Sequence, residues 1–264
     1  MGKRGTEFLL DTEPHAAGDA MINGDAGSPR VLRFGEKGMI WLEVTAEGRP
    51  AHGAHVHLGD NAIERLMAAL SRLMVLKRVP VRTPRTIEVA IRRSRTVSGR
   101  LSGVGEAKVL KSVTVNCGVV AGGSSGNLVP AQAWANLDIR LPVGVTVAGI
   151  EARIAKALGS LDGVGYRITR RFDPNWTPPD HEIIRLMTAS GREALRRAPV
   201  VNMRVGASDS RLYRRHGIPS VVCGLTPHNM GGPDEYGTLK DLFAVGYMHT
   251  LTAFDFLSAR KGVS

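Results

Sequence analysis

Four polar clusters in this 264-residue chain have residue types and spacings suited to chemistry. The first is His52-Gly-Ala-His55-Val-His57, with three imidazoles in six residues. On an extended chain alternate side chains point the same way, so His55 and His57 could share a metal ion; the alternative is a set of solvent-facing loop histidines. The second is Asp25 in the turn Gly24-Asp-Ala-Gly-Ser-Pro29. Its carboxylate is either a ligand for a metal ion or a turn-former. The third is Thr226-Pro-His228-Asn-Met-Gly-Gly-Pro-Asp-Glu235-Tyr236, which follows an apolar, strand-like run. An imidazole, two acids and two glycines can make a metal loop, and ligands of open α/β sheets bind at strand ends. The fourth is Gly206-Ala-Ser-Asp209-Ser-Arg211, where Ser208 or Asp209 is placed to cap a helix. No glycine-rich phosphate loop is present in the sequence, which argues against a nucleotide enzyme.

Regular elements must position these clusters. Ile40, Leu42, Val44 and Ala46 alternate with Trp41, Glu43, Thr45 and Glu47, a period of two that predicts a strand. The His-rich stretch follows it directly. Asn61 to Leu76 reads as a helix, with Asn61 as cap, Glu64 completing a capping box, and Ile63, Leu66, Met67, Leu70, Leu73 and Met74 as its apolar face. Ser112–Val120 is β-rich, and Ala133 to Leu141 alternates again. Val147–Leu158 reads as a helix and Tyr166–Phe172 as a strand. The order from Gly38 to Phe172 is β, α, β, β, α, β, the ferredoxin-like pattern.

Outside that segment lie pieces of an α/β layer. Gly5 to Asp11 looks like the end of a helix or a connection, and Asp19–Asp25 like a brief buried strand. Asp173–Asp180 is a Pro-rich break. Helix Asp180–Arg197, strand Val200–Val205, helix Ser208–His216 and strand Pro219–Leu225 come next. A long amphipathic helix, Thr238–Arg260, closes the chain on Leu239, Leu242, Phe243, Leu251, Phe254 and Leu257. One domain inserted into another is the simplest topology.

Composition sets limits. Hydrophobic residues at 43% and charged residues at 22% are enough for a packed core. No run of apolar residues is long enough to span a bilayer, and the start of the chain does not read as a secretory signal. Cys117 and Cys223 are too few for a disulfide framework or a thiolate zinc site, and read as buried reduced thiols of a cytoplasmic protein. The formal charge of +11 raises nucleic-acid binding. The densest basic stretch, Lys77 to Arg95, has no aromatic residue for stacking, no zinc-finger spacing and no RNA-recognition signature. It reads instead as an exposed basic face or an attraction for anionic substrates.

Several of these motifs together resemble one family. Gly35-Glu-Lys-Gly38, Gly48-Arg-Pro-Ala-His52-Gly and Gly59-Asp-Asn61-Ala-Ile63 look like the lid-domain signature of the zinc-dependent amidohydrolases and exopeptidases. That family includes acetylornithine deacetylase, succinyl-diaminopimelate desuccinylase, aminoacylase and glutamate carboxypeptidase. Asn116-x-Gly118, Gly122-Gly123, Asn127-Leu-Val-Pro130 and Asp138-Ile-Arg140 match a second lid signature. Ser208-Asp209, Gly217-Ile-Pro219 and Asp234-Glu235-Tyr236 match the closing one.

The resemblance implies an α/β catalytic domain interrupted by a ferredoxin-like lid that also forms a homodimer. Residues 1–36 and 174–264 are then catalytic-domain portions, and 37–173 the lid. It implies a cytoplasmic hydrolase of N-acyl amino acids or peptide-like amides (deacylase, desuccinylase or carboxypeptidase-like) with two zinc ions per site, cobalt or manganese being substitutes. Asp25 and His228 are the implied metal ligands. His52 is the implied lid histidine that stabilises the oxyanion. Asn127 and Arg140 hold the substrate, Arg140 through its carboxylate. The family's His-x-Asp pair, bridging aspartate and Glu-Glu pair have no counterpart here, so the chain is expected to be a C-terminal portion lacking the general base. Gly231 also stands where the family places its late histidine, and His228 lies seven residues before Glu235. The alternative reading is a catalytically inactive dimeric module that binds an anionic small molecule.

Overall fold

Strand alternation and helix caps explain most of the elements. The computed structural model describes residues 5–261. In chain order they are α1 (Thr6–Thr12), β1 (Met21–Asn23), β2 (Val31–Glu36), β3 (Gly38–Glu47), β4 (Ala51–His52), α2 (Ala62–Met74), α3 (Arg85–Ser102), α4 (Glu106–Leu110), β5 (Thr114–Gly122) and β6 (Leu128–Val129). There follow β7 (Gln132–Leu141), α5 (Val147–Leu158), β8 (Val164–Phe172), β9 (Asn175–Trp176), α6 (Glu182–Leu195), β10 (Val200–Arg204), α7 (Ser210–Arg215), β11 (Ser220–Val222) and α8 (Leu239–Lys261). Of the opening read as a helix end, Met1 to Arg4 lie outside the described residues. The fold class is α/β, and the chain divides into two units.

One unit holds residues 38–82 and 111–174. Its four-stranded sheet runs β5-β7-β3-β8 and is antiparallel throughout. β3 and β7 pair from Gly38↔Leu141 to Glu47↔Gln132 without a slip. Ile40, Leu42, Val44, Ala135, Leu137 and Ile139 turn one face to α2 and α5 and are fully buried there with Leu66, Leu73, Ile150 and Ile154. Burying each such side chain contributes about 1.5–3 kcal/mol. Asn61 caps α2: its Oδ1 accepts from the backbone N–H of Ile63 and Glu64, and its Nδ2 donates to Glu64 Oε1. Met67, expected on the buried face of α2, is exposed; Ala62 and Ala69 are buried in its stead, and their small size lets the helix sit close to the sheet.

The other unit holds residues up to 37, 83–110 and 175 onwards. Residues 83–110, expected inside a lid spanning 37–173, therefore pack elsewhere. The reason is chemical. α3 lies against β10 with a face of Ile87, Ala90, Ile91, Ser94 and Ser98, half of it small or polar. Arg33 on β2 meets Glu106 at 2.9 Å and donates to the Met203 carbonyl and to Ser102 Oγ. Asn202 donates to Ser98 Oγ and to Glu106, and Ser98 also donates to Glu106. The helix is amphipathic, but its buried stripe holds only two large apolar residues, and its arginines dominate the reading.

The sheet of this unit is mixed, in the order β1-β11-β2-β10 with β9 on β2. β1 and β11 are parallel, β2 and β10 are parallel, and β11 meets β2 antiparallel. β1 is shorter than the strand expected over Asp19–Asp25 and only half-buried. α6 and α8 pack together, with Ser190 and Thr252 sharing a buried hydroxyl contact. α8 turns Val245, Met248, Thr252 and Phe256 inward. Leu239, Leu242, Phe243, Phe254 and Leu257, expected as its buried face, are exposed. The helix is apolar on several sides, so its pattern does not select one.

Two charged residues of the Gly35–Gly38 motif are buried. Glu36 accepts from Ser208 N–H and Oγ and from Arg214 Nη1 at 3.0 Å. Lys37 donates to the Val109 carbonyl. Arg214 also donates to Asn175 and to the Ser220 carbonyl, while its Nε is buried without a partner among the described residues.

Burial pushes the Glu36 carboxyl above its ordinary value of 4.5, opposed by Arg214 and Ser208. The folded state holds this proton at pH values where the unfolded chain has lost it. The group's contribution to stability is thus greatest below the ordinary value and falls as pH rises through the elevated one. Glu36→Gln should flatten that part of the urea-denaturation profile against pH. Glu36→Ala leaves Arg214 buried and unpaired, and should cost about 3–5 kcal/mol in the same measurement. The Cys223 thiol is pushed up to about 12 by burial. Titration with an aromatic disulfide at pH 8 should therefore modify only Cys117, which is half-buried, in the native protein and both thiols in denaturant.

Candidate functional site

The lid histidine is set by a short ladder. β4 pairs with β6, so Ala51 faces Val129 and His52 faces Leu128. Gly53 N–H donates to the Asn127 carbonyl at 2.7 Å. A side chain on Gly53 would meet the Asn127 backbone at 3.0 Å, so this approach favours glycine. His52 and Asn127 are thereby brought together. His52 Nδ1 accepts from Ala54 N–H, which leaves Nε2 as the N–H donor of the exposed ring. Asn127 Oδ1 accepts from Ser125 Oγ and leaves Nδ2 to donate. Two N–H donors on adjoining segments can stabilise a developing oxyanion.

The histidine stretch is not extended. Gly53–Leu58 forms a tight 3-10 turn, kinked at His55. The His52 and His55 rings lie 6.0 Å apart, as do those of His55 and His57, but at 56° and 79° to one another. The neighbouring segment Gly122-Gly-Ser124-Ser-Gly126 has the spacing of a serine nucleophile turn. It joins β5 to β6 and not a strand to a helix, so that spacing has no nucleophile geometry behind it.

Arg140 stands on β7, opposite Thr114 and Met39. Its guanidinium is engaged by Asp138 two residues earlier, Nε to Oδ1 at 2.7 Å and Nη2 to Oδ2 at 2.8 Å. The fork that would grip a substrate carboxylate already holds one from its own strand. Beside it, Trp41, Glu43, Asn136, Asp138 and Thr169 line an open depression of ≈ 390 Å³ on the sheet face away from the helices.

Asp25 and His228 lie in the other unit, on the turns that leave β1 and β11. These turns abut. Cys223 N–H donates to the Asn23 carbonyl, Gly27 N–H to the Leu225 carbonyl, and Thr226 Oγ1 to Ser28 Oγ. At Gly224 an added side chain would fall 2.0 Å from the Asp25 carbonyl oxygen. The two side chains nevertheless have other partners. Asp25 shapes its turn, with Oδ1 accepting from Ala26 N–H, and its Oδ2 meets Arg204 Nη1 at 2.7 Å. His228 stacks on Tyr236 at 4.6 Å and 12°, and the two residues exchange backbone hydrogen bonds. Glu235 accepts from Gly231 N–H within the same loop.

A catalytic divalent ion needs about three protein ligands and an open position. Among the described residues no group of three or more His, Cys, Asp or Glu side chains is arranged to hold one. The carboxylate offered by Asp25 is neutralised by a guanidinium. The donor set among the described residues does not fit the two-zinc site that the resemblance implies. Arg204 and Glu36 are the residues that sequence reasoning passes over here. Glu36 lay within a quoted motif, whereas Arg204 carries no signal beyond its place at a strand end. Ser208, expected to cap the following helix, turns its hydroxyl to Glu36, and Asp209 accepts from Thr6 Oγ1.

Comparison with known proteins agrees with this architecture. Residues 34–165 match the family model of the M20 peptidase dimerisation domain. The chain is 26% identical over 245 residues to a succinyl-diaminopimelate desuccinylase of Rhodospirillum centenum, covering 90% of this chain and 57% of that protein. It is 31% identical over 156 residues to a probable carboxypeptidase of Ajellomyces dermatitidis, covering 58% of this chain and 32% of the relative. In fold it is similar to the M20 family metallo-carboxypeptidase Sso-CP2 of Sulfolobus solfataricus, with a TM-score of 0.75 and 16% identity over 94% of this chain and 66% of that one. The chain thus spans between about a third and three fifths of the length of these two curated relatives. The match over half of its residues, most of them in the unit that carries His52 and Asn127, shows that the chain belongs to the M20 peptidase family.

Proposed function

We propose that this chain is the dimerising, oxyanion-binding portion of an M20-type hydrolase of N-acyl amino acids or peptides. We infer further that metal-assisted hydrolysis needs ligands beyond those its described residues assemble. The observation that carries the reading is the β4–β6 ladder, which holds the Gly53 N–H on the Asn127 carbonyl and so puts His52 and Asn127, each with a side-chain N–H left to donate, on adjoining segments. The relatives' names, desuccinylase and carboxypeptidase, support an amide as the bond cleaved. Zinc, cobalt or manganese is the metal class that would polarise that amide and activate water. The chain's own contribution is to bind the carbonyl oxygen as it gains charge. The alternative of an anion-binding module is weakened by Arg140, whose guanidinium Asp138 already occupies.

The homodimer is assigned to the β5 edge of the sheet. The opposite edge, β8, carries Arg167, Arg170 and Arg171, charges that oppose edge-to-edge pairing. β5 ends in Cys117-Gly-Val-Val-Ala-Gly122 without a charge, and Val119 and Val120 are 48% and 62% exposed. Light scattering on the eluting protein should give a dimer, and Val119→Lys with Val120→Lys should give a folded monomer. An unchanged mass would move the interface elsewhere.

The activity is tested with N-acetyl and N-succinyl amino acids and dipeptides in the presence of zinc, cobalt or manganese. The chain alone should show no chelator-sensitive turnover, and dialysis should show no zinc uptake that Asp25→Asn removes. Turnover should appear when a polypeptide bearing the His-x-Asp and Glu-Glu pairs is supplied. It should then fall about 100-fold or more in His52→Ala, the loss expected for an oxyanion donor. Efficient, chelator-sensitive hydrolysis by the purified chain alone would refute the incompleteness.

A further inference from the structure

The basic stretch that is neither catalytic nor dimeric becomes, in the fold, one face of a rigid helix. α3 is 18 residues long, about 27 Å. Arg85, Arg92, Arg93, Arg95 and Arg100 on it are all exposed. None of the five has an ion-pair or hydrogen-bond partner among the described residues. Glu88 is the single acid in the helix. At about 100° per residue, Arg85, Arg92 and Arg100 share an outer arc of about 80°, with Arg93 and Arg95 flanking it. The opposite side is pinned by Ile87, Ile91, Ser94 and the Arg33–Glu106–Ser98–Asn202 network, so the arginines are presented on a fixed support.

We propose that this face binds the phosphate backbone of double-stranded nucleic acid without reading its sequence. Arginine forks bind phosphate oxygens in two places. Successive stripe arginines are about 10–12 Å apart along the axis, close to the roughly 12 Å width of a duplex major groove. The face has no aromatic residue, so stacking on single-stranded bases and an aromatic-centred protein interface are both disfavoured. Its one apolar residue within that arc, Val89, is half-buried and offers little to a bilayer, and Leu101, 39% exposed, lies toward the side of the helix that meets β10. The absence of stacking residues counts against reading bases, not against gripping phosphates. This surface stands apart from the proposed hydrolase chemistry, and neither depends on the other.

The test is fluorescence anisotropy of a labelled 20-base-pair duplex of arbitrary sequence with the full chain, titrated at 50, 100 and 200 mM salt. Binding should weaken with salt on a log–log slope of about −3 to −4, as about −0.9 per phosphate contact requires. Arg85→Gln with Arg92→Gln and Arg100→Gln should lower affinity at least 10-fold and cut the slope by about 2–3. Arg185→Gln with Arg192→Gln and Arg197→Gln removes the same charge from exposed sites on α6 and just after it, and should change little. Equal losses in the two triple variants would overturn the proposal in favour of net charge alone. So would no binding at 50 mM salt, or retention on vesicles of phosphatidylserine and phosphatidylcholine without duplex binding.

Discussion

A carboxylate taken out of water must meet a positive charge, and in the α/β unit of this chain that charge is a guanidinium each time. Glu36 meets Arg214 and Glu106 meets Arg33, and even Asp25, whose side chain is 38% exposed, meets Arg204. The first two pairs are buried, and desolvation works against both ions of the Glu36–Arg214 pair while their contact opposes it. The extra hydrogen bonds decide the balance. Glu36 also receives the N–H and hydroxyl of Ser208, and thereby fixes the turn after β10. Glu106 receives Ser98 and Asn202, and thereby fixes α3 against the sheet.

The same constraint separates this site from a metal centre. A metal-binding carboxylate needs free lone pairs aimed at a common point with two further ligands. Asp25 has one oxygen on its own turn and the other on Arg204. Turns that abut do not suffice, because what converges at their junction is backbone: Gly224 pressed on the Asp25 carbonyl, and Gly27 bonded to Leu225. The imidazole of His228 lies flat on Tyr236 in a loop that two left-handed residues, Asn229 and Asp234, fold back on itself.

Much of the ferredoxin-like unit was legible in the sequence, because its physics is local. Alternation at residues 40–46 and 133–141 set two strands, and the Asn61 cap set a helix start. What escaped was non-local. α3 offers serines and alanines to the sheet, and its partners, Arg33 and Asn202, lie far away in sequence. α8 has leucines and phenylalanines on more than one side, so only packing against α6 identifies Met248 and Thr252 as the buried stripe. At the candidate site, His52 and Asn127 were singled out by motif, and the β4–β6 ladder brings their segments together. The occupied state of Arg140 was not legible, although Asp138 stood two residues away. On a strand, i and i+2 share a face, which is what lets Asp138 reach Arg140.

The two edges of the four-stranded sheet differ in what they offer an approaching strand. An exposed edge invites pairing with any extended chain. β8 is guarded by charge: Arg167 pairs with Glu43, and Arg170 lies over Trp41. β5 is not guarded, and between Cys117 and Val119 its register against β7 shifts, leaving Gly118 unpaired. A bulge increases the local twist of a strand, so a copy approaching β5 must match that twist. An edge that is open yet shaped admits a second copy of itself more readily than a flat strand from another protein.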